Sequence, residues 1–208
     1  MNFSTFTKNA IKTESVILAD DRKVALPLFR SIIKLAIKTS QVADALKKGF
    51  FYNKKYSVPQ LALLFNEIHQ ISGDIAVQFD ALYASAAETT GNPFAGDDVI
   101  PFNTRILHAI LGYFTESGEM LEFLDKALDD PAIIPDYINL REEIGDVDWY
   151  KAVLFDAIQQ AVPNINFNEE QIREMIIQKL KARYGDKFTE EAAENRDLST
   201  ERGILEEV

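Results

Sequence analysis

Apolar residues return every three or four positions along the long stretches of this chain, and no segment alternates strictly between apolar and polar with turn signals on both sides. The first spacing lines one face of a helix, and the second would line one face of a strand. The pattern therefore confines the chain to an all-α fold in which helices bury their apolar stripes against one another. One helix is expected from about Val24 to Gly49, with Leu28, Ile32, Leu35 and Val42 near one face and Phe50-Phe51-Tyr52-Asn53 as a hydrophobic turn after it. Ser57-Val58-Pro59 opens a second helix that runs through Leu61, Leu64, Phe65, Ile68 and Ile71 towards Ala87, with proline in the first turn, where its missing N–H costs little. The stretch from Glu88 to Asp98, with its glycines and proline, reads as the clearest linker.

Beyond that linker, Asn103-Thr104 caps a third helix to about Leu128, and Pro131 and Pro135 bound the next loop. A fourth helix starts near Asp136 and reaches about Ala161, and Asn168 caps a fifth that ends near Arg183. The first twenty or so residues carry no clear pattern and are expected to be poorly ordered, and the tail from Phe188 to Val208 is charged and weakly periodic. The expected architecture is a four- to five-helix bundle, divided into an N-terminal helical region over 1–100 and a second region over 101–208.

Composition removes several classes of function. The chain has no cysteine, so disulfides and thiolate metal sites are out. No apolar stretch approaches the roughly 20 residues that span a bilayer, and the N-terminus lacks a signal peptide's apolar run. A soluble cytoplasmic protein without membrane partners is the expectation. The formal net charge is −11 with dispersed basic residues, which repels nucleic acid rather than attracting it. His69 and His108 do not stand three residues after a glutamate, so the Glu-x-x-His pairs of a di-iron bundle are missing, and His108 reads as a packed or supporting residue. Neither a nucleophile elbow nor a phosphate-binding glycine loop occurs.

The chemistry concentrates in two carboxylate pairs. Glu116 and Glu119 lie three apart on the third helix, and Glu143 and Asp146 repeat that spacing on the fourth, so each pair shares a helix face. If the two helices pack antiparallel, four carboxylates converge. Such groups repel one another and need a counter-ion, and oxygen ligands select hard cations such as Mg²⁺, Mn²⁺ or Ca²⁺. Gly118 and Gly145 stand inside the pairs at a helix cost of about 1 kcal/mol each, either to admit a phosphate or for packing. A solvated acidic face is the competing reading. Trp149 and Tyr150 read as core aromatics before base-stacking ones.

The words around those carboxylates carry a resemblance. The stretch LHAILGYFTESGEMLEFL looks like the first metal-binding helix of the MazG-like nucleoside triphosphate pyrophosphohydrolases, and INLREEIGDVDWYKAVL resembles their second. The segment KLKARYGDKFTEEAAENRDLSTERGILE is similar to the C-terminal part of a phage-type subgroup, so the likeness covers about Arg105 to Glu206. The resemblance implies the all-α nucleoside triphosphate pyrophosphatase bundle with an N-terminal helical extension. It also implies hydrolysis of a nucleoside, or deoxynucleoside, triphosphate to monophosphate and pyrophosphate. On it, Glu116, Glu119, Glu143 and Asp146 hold Mg²⁺, with Mn²⁺ as a substitute. Glu142 orients a ligand or helps to activate water, and Lys179, Arg183 and Tyr184 bind substrate. It further implies a homodimer or homotetramer. Ile176 stands where relatives often carry asparagine, and Gly185 where proline often follows the tyrosine.

Two alternatives stay open beside this reading: an acidic helical binding protein of the same fold, and an enzyme like a dUTPase or a phosphoribosyl-ATP pyrophosphatase. The first half has its own weaker likeness. Lys38 and Gln41 fall where Glu116 and Glu119 stand, and Gly73-Asp74 near Gly145-Asp146. It is read either as a decayed copy of the same fold or as an unrelated helical hairpin.

Overall fold

The computed structural model describes residues 1–15, 23–86, 94, 96–130, 132, 134–165 and 167–206. Among them are eight helices: α1 (Phe3–Ala10), α2 (Leu26–Tyr52), α3 (Val58–Ala86), α4 (Thr104–Asp129), α5 (Tyr137–Ala161), α6 (Glu169–Tyr184), α7 (Glu190–Glu194) and α8 (Leu198–Glu206). The fold is all-α but for two-residue strands, β1 (Lys23–Val24) and β2 (Asp98–Val99), paired antiparallel with Lys23 opposite Val99. That pair is too short to show the alternation by which a strand is read from sequence. Most of the linker from Glu88 onwards lies outside the described residues. No helix among the described residues is long and apolar enough to cross a membrane.

Two compact units form, one from Met1–Asp20 and Pro101–Ile176, the other from Asp21–Ile100 and Ile177–Glu207. They do not follow the division at residue 100, because α1 joins α4 and α5 while the tail helices join the second unit.

In the first unit, α4 and α5 form an antiparallel hairpin. Their cross-contacts run in opposite chain order: Phe123 meets Tyr137 with ring centroids 5.6 Å apart, Gly112 meets Tyr150, and Arg105 meets Asp156 at 2.6 Å. Both N-termini are capped by side chains, that of α4 by Asn103 as its sequence foretells. Asn103 Oδ1 accepts from Ile106 N at 3.0 Å, and Asp136 Oδ1 accepts from Ile138 N and Asn139 N at 3.0 and 3.1 Å. The buried seam is made of small and medium side chains, Ile106, Ala109 and Gly112 against Ala152, Val153 and Ala157, which lets the helices approach closely. Full burial of a side chain such as Val153 contributes about 1.5–3 kcal/mol.

The N-terminus is ordered into α1, against the expectation. Asn2 caps it by accepting from Thr5 N at 2.9 Å. Phe3 packs edge-on to Phe155 at 5.3 Å, and the indole N–H of Trp149 donates to the Ala10 carbonyl and Thr13 Oγ1 at 3.2 and 3.1 Å. Arg105 completes the anchor. Its guanidinium donates twice to Glu14, at 2.7 and 2.6 Å, while also pairing with Asp156.

In the second unit, α2 and α3 form another antiparallel hairpin, marked by Gln78 Nε2 to Ser31 Oγ at 3.2 Å and Lys38 to Glu67 at 2.7 Å. Helix α2 continues through Phe50-Phe51-Tyr52, beyond the expected turn. It stops only at Asn53, whose φ of 50° is left-handed, a conformation asparagine tolerates better than most side chains. The second region's tail is helical as well. Glu201 of α8, 5% exposed, accepts two hydrogen bonds from Arg183 at 2.7 and 2.5 Å and two from Arg196 at 3.3 and 2.6 Å.

Candidate metal centre

The carboxylates of Glu116, Glu119 and Glu143 each bring an oxygen within 4.8 Å of the others. Two come from α4 and one from α5, and the antiparallel register of the hairpin sets them opposite one another. They differ in setting. Glu143 is buried at 6% exposure, Glu116 is half-buried, and Glu119 is exposed. Among the described residues, no lysine, arginine or histidine pairs with any of the three, nor with Asp146. The partner that does reach Glu143 is neutral: Asn139, one turn earlier on α5, donates its Nδ2 to Glu143 Oε1.

The electrostatics record this crowding. Glu116 is held above the ordinary carboxyl value by burial first, then by the negative charges of Glu119, Asp146 and Glu143. Glu119 is pushed up chiefly by Glu143. Asp146 is exposed and lies outside the 4.8 Å group, yet it is close enough to act on both α4 glutamates. Glu142, a sequence neighbour of Glu143, is exposed and outside the group, since consecutive helix residues point about 100° apart.

The glycines play different parts from those their positions suggest. A side chain at Gly118 or Gly145 would meet nothing within 4 Å, so no neighbour in the structure demands glycine at either place. Gly112 is the packing glycine, because a Cβ there would overlap the ring of Tyr150. His108 closes the same corner, its ring T-shaped to Tyr150 at 5.5 Å, with Nδ1 buried and without a hydrogen-bond partner. Trp149 is committed to α1 through its N–H.

The three expected substrate-binding residues belong to the second unit. Arg183 is engaged by Glu201 and lies over the Tyr184 ring at 5.4 Å. Tyr184 in turn packs on Phe188 at 5.2 Å, and Phe188 on Tyr52 at 5.3 Å. Lys179 is half-buried and makes no ion pair among the described residues. Asn139 is the residue of the acidic site that sequence reasoning passed over, although its position four before Glu143 puts it on the same helix face.

Comparison with family models, with curated proteins and with solved structures yields no match. Function is therefore read from the geometry of the chain's own residues.

Proposed function

We propose that this chain is a divalent-metal-dependent hydrolase of nucleoside triphosphates, releasing the monophosphate and pyrophosphate. The observation that supports this most directly is the approach of three carboxylate oxygens within 4.8 Å, one on a buried glutamate, with no cationic side chain beside them among the described residues. A crowded, uncompensated acidic cluster with one buried member is costly, and a hard cation relieves it. The two helices that contribute it are those whose sequences resemble the ligand helices of MazG-like pyrophosphohydrolases.

The donor set fits magnesium, with manganese as a substitute, because every ligand is an oxygen. Glu116, Glu119 and Glu143 would hold the ion, with Asp146 at the exposed side. When bound, the ion neutralises charge on the phosphates and makes water a better nucleophile. The remaining work belongs to the side chains. Asn139 fixes the carboxylate of Glu143, and exposed Asp146 or Glu119 orients a water towards the α-phosphorus. The water oxygen bonds to the α-phosphorus as its proton passes to that carboxylate, the bond from the α-phosphorus to the bridging oxygen breaks, and pyrophosphate departs. Positioning and electrostatics supply the rate, as is usual for phosphoryl chemistry. The cytoplasmic nucleotide pool is the proposed setting, and a homodimer or homotetramer the proposed assembly; both rest on the resemblance.

A panel of ribo- and deoxynucleoside triphosphates with Mg²⁺, including dUTP and phosphoribosyl-ATP, read out as pyrophosphate release, tests the proposal. Release from at least one member, lost in Glu119→Gln with helical content intact, is the expected result. A panel with no release above the metal-free control would leave an acidic binding protein as the better reading.

A further inference from the structure

Tyr150 borders the acidic site and has an unspent hydroxyl. Its ring is fixed on three sides: Gly112 lies beneath it, His108 meets it edge-on at 5.5 Å, and Trp149 stands perpendicular at 4.8 Å. It stands one turn beyond Asp146 on α5, and the Gly112 it covers stands one turn before Glu116 on α4, so the phenol faces the same side of the hairpin as the carboxylates. The charges of Glu116 and Asp146 both reach it. The hydroxyl makes no hydrogen bond among the described residues, and it is not one of the fully buried polar atoms left without a partner, so it is open to solvent.

The chemistry of the site gives that hydroxyl a use. The four carboxylates only accept hydrogen bonds, and phosphate oxygens also only accept. A site that holds phosphate beside carboxylates therefore needs a donor as well as a metal. A phenol ionises only well above neutral pH, so the hydroxyl keeps its proton and can donate. The rigid ring removes most of the ordering cost of using it.

We propose that the Tyr150 hydroxyl donates to a phosphate oxygen of the ligand at the edge of the acidic site. This rests on reading that site as a phosphate-binding metal centre, and the test separates the two claims. Mn²⁺ alone is titrated into the full chain, and inorganic pyrophosphate is then titrated in the presence of Mn²⁺, for the parent chain, Tyr150→Phe and Glu119→Gln. Tyr150→Phe keeps the ring on Gly112 and removes only the O–H. It is expected to bind Mn²⁺ as the parent does and to bind pyrophosphate about tenfold more weakly, the size of one hydrogen bond to a charged group. In turnover its KM should rise with little change in kcat. Glu119→Gln should lose Mn²⁺ itself. Pyrophosphate affinity unchanged in Tyr150→Phe, with Mn²⁺ binding intact in the parent, would overturn the role of Tyr150 alone. Loss of Mn²⁺ in Tyr150→Phe would also overturn it, because the hydroxyl would then serve the metal. Failure of the parent to bind Mn²⁺ would overturn the metal centre and this role with it.

Discussion

Asn139 holds Glu143 from one turn earlier on α5, and Asp136, the cap of the same helix, holds the backbone N–H of Asn139. The most buried carboxylate of the site is thus oriented by a short chain of hydrogen bonds that begins at the helix start. Groups that orient metal ligands typically change affinity by about 10–100-fold when removed. Asn139→Ala should weaken Mn²⁺ binding by about tenfold while leaving helical content unchanged. A calorimetric metal titration checks this, and an affinity equal to the parent's would show that Glu143 needs no support.

The crowded carboxylates set a pH dependence. Glu116 and Glu119 both have folded-state values raised above the ordinary 4.5. Ionising them is harder in the folded chain than in the unfolded one, so their contribution to stability is full below the ordinary value and lost as pH rises through the raised one. The metal-free first unit should therefore melt higher at about pH 5 than at about pH 7. Glu119→Gln should raise the midpoint at neutral pH and shrink that difference, and Mg²⁺ should raise the midpoint at neutral pH far more in the parent than in Glu119→Gln. Thermal scans across pH, with and without Mg²⁺, decide it, and a parent that melts lower in mild acid contradicts the argument.

Gly112→Ala should destabilise the α4–α5 hairpin. Helix propensity alone would favour alanine by about 1 kcal/mol, but the new methyl would overlap the Tyr150 ring, which is hemmed in by His108 and Trp149. Overpacking of this kind costs about 1–3 kcal/mol. The net loss, measured by chemical denaturation, should vanish when alanine is introduced into a Tyr150→Ala background.

The tail is fixed by Glu201. Arg183 first, then Arg196, holds its carboxyl well below the ordinary 4.5, down to about 2. The stability this provides is present above the ordinary value and lost as pH falls towards 2, the opposite sense to the acidic site. Glu201→Gln should loosen α7 and α8 at neutral pH by about 2 kcal/mol, less than a fully buried pair would cost because Arg196 is partly exposed. Amide exchange of residues 190–206 should speed up in the variant while α4 and α5 stay protected.

Trp149 is the chain's single tryptophan and reports on α1. Deleting residues 1–13 removes both acceptors of its indole N–H and the Phe3 contact with Phe155. Its emission should shift to longer wavelength, with α4 and α5 still helical by circular dichroism. Emission identical to the parent's would mean that α1 does not dock in solution.

The long helices were legible in the sequence because their signals are local. Asn103 caps where its side chain and the following apolar spacing indicate, and α4 and α5 begin within a residue of expectation. Of the four carboxylates expected to converge, Glu116, Glu119 and Glu143 do, because spacing fixes each pair on a face and a short loop forces the hairpin, while Asp146 stays outside that group. What escaped depends on distant partners. Helix α1 is too short to hold itself together, and its Phe3 finds Phe155 only in the folded unit. Glu201 carries no sign in sequence that two arginines will close on it. The end of α2 was missed because Phe50-Phe51-Tyr52 resembles a turn only by composition, whereas the left-handed Asn53 is what stops the helix.

Arg105 ties the beginning of the chain to its later half, to Glu14 on one side and Asp156 on the other, and the Trp149 bond to Ala10 bridges 139 positions. During synthesis α1 leaves the ribosome long before either of its anchoring helices exists. Its docking is therefore a late step of high sequence separation, and until α5 has emerged Phe3 lacks the Phe155 ring it packs on in the folded unit.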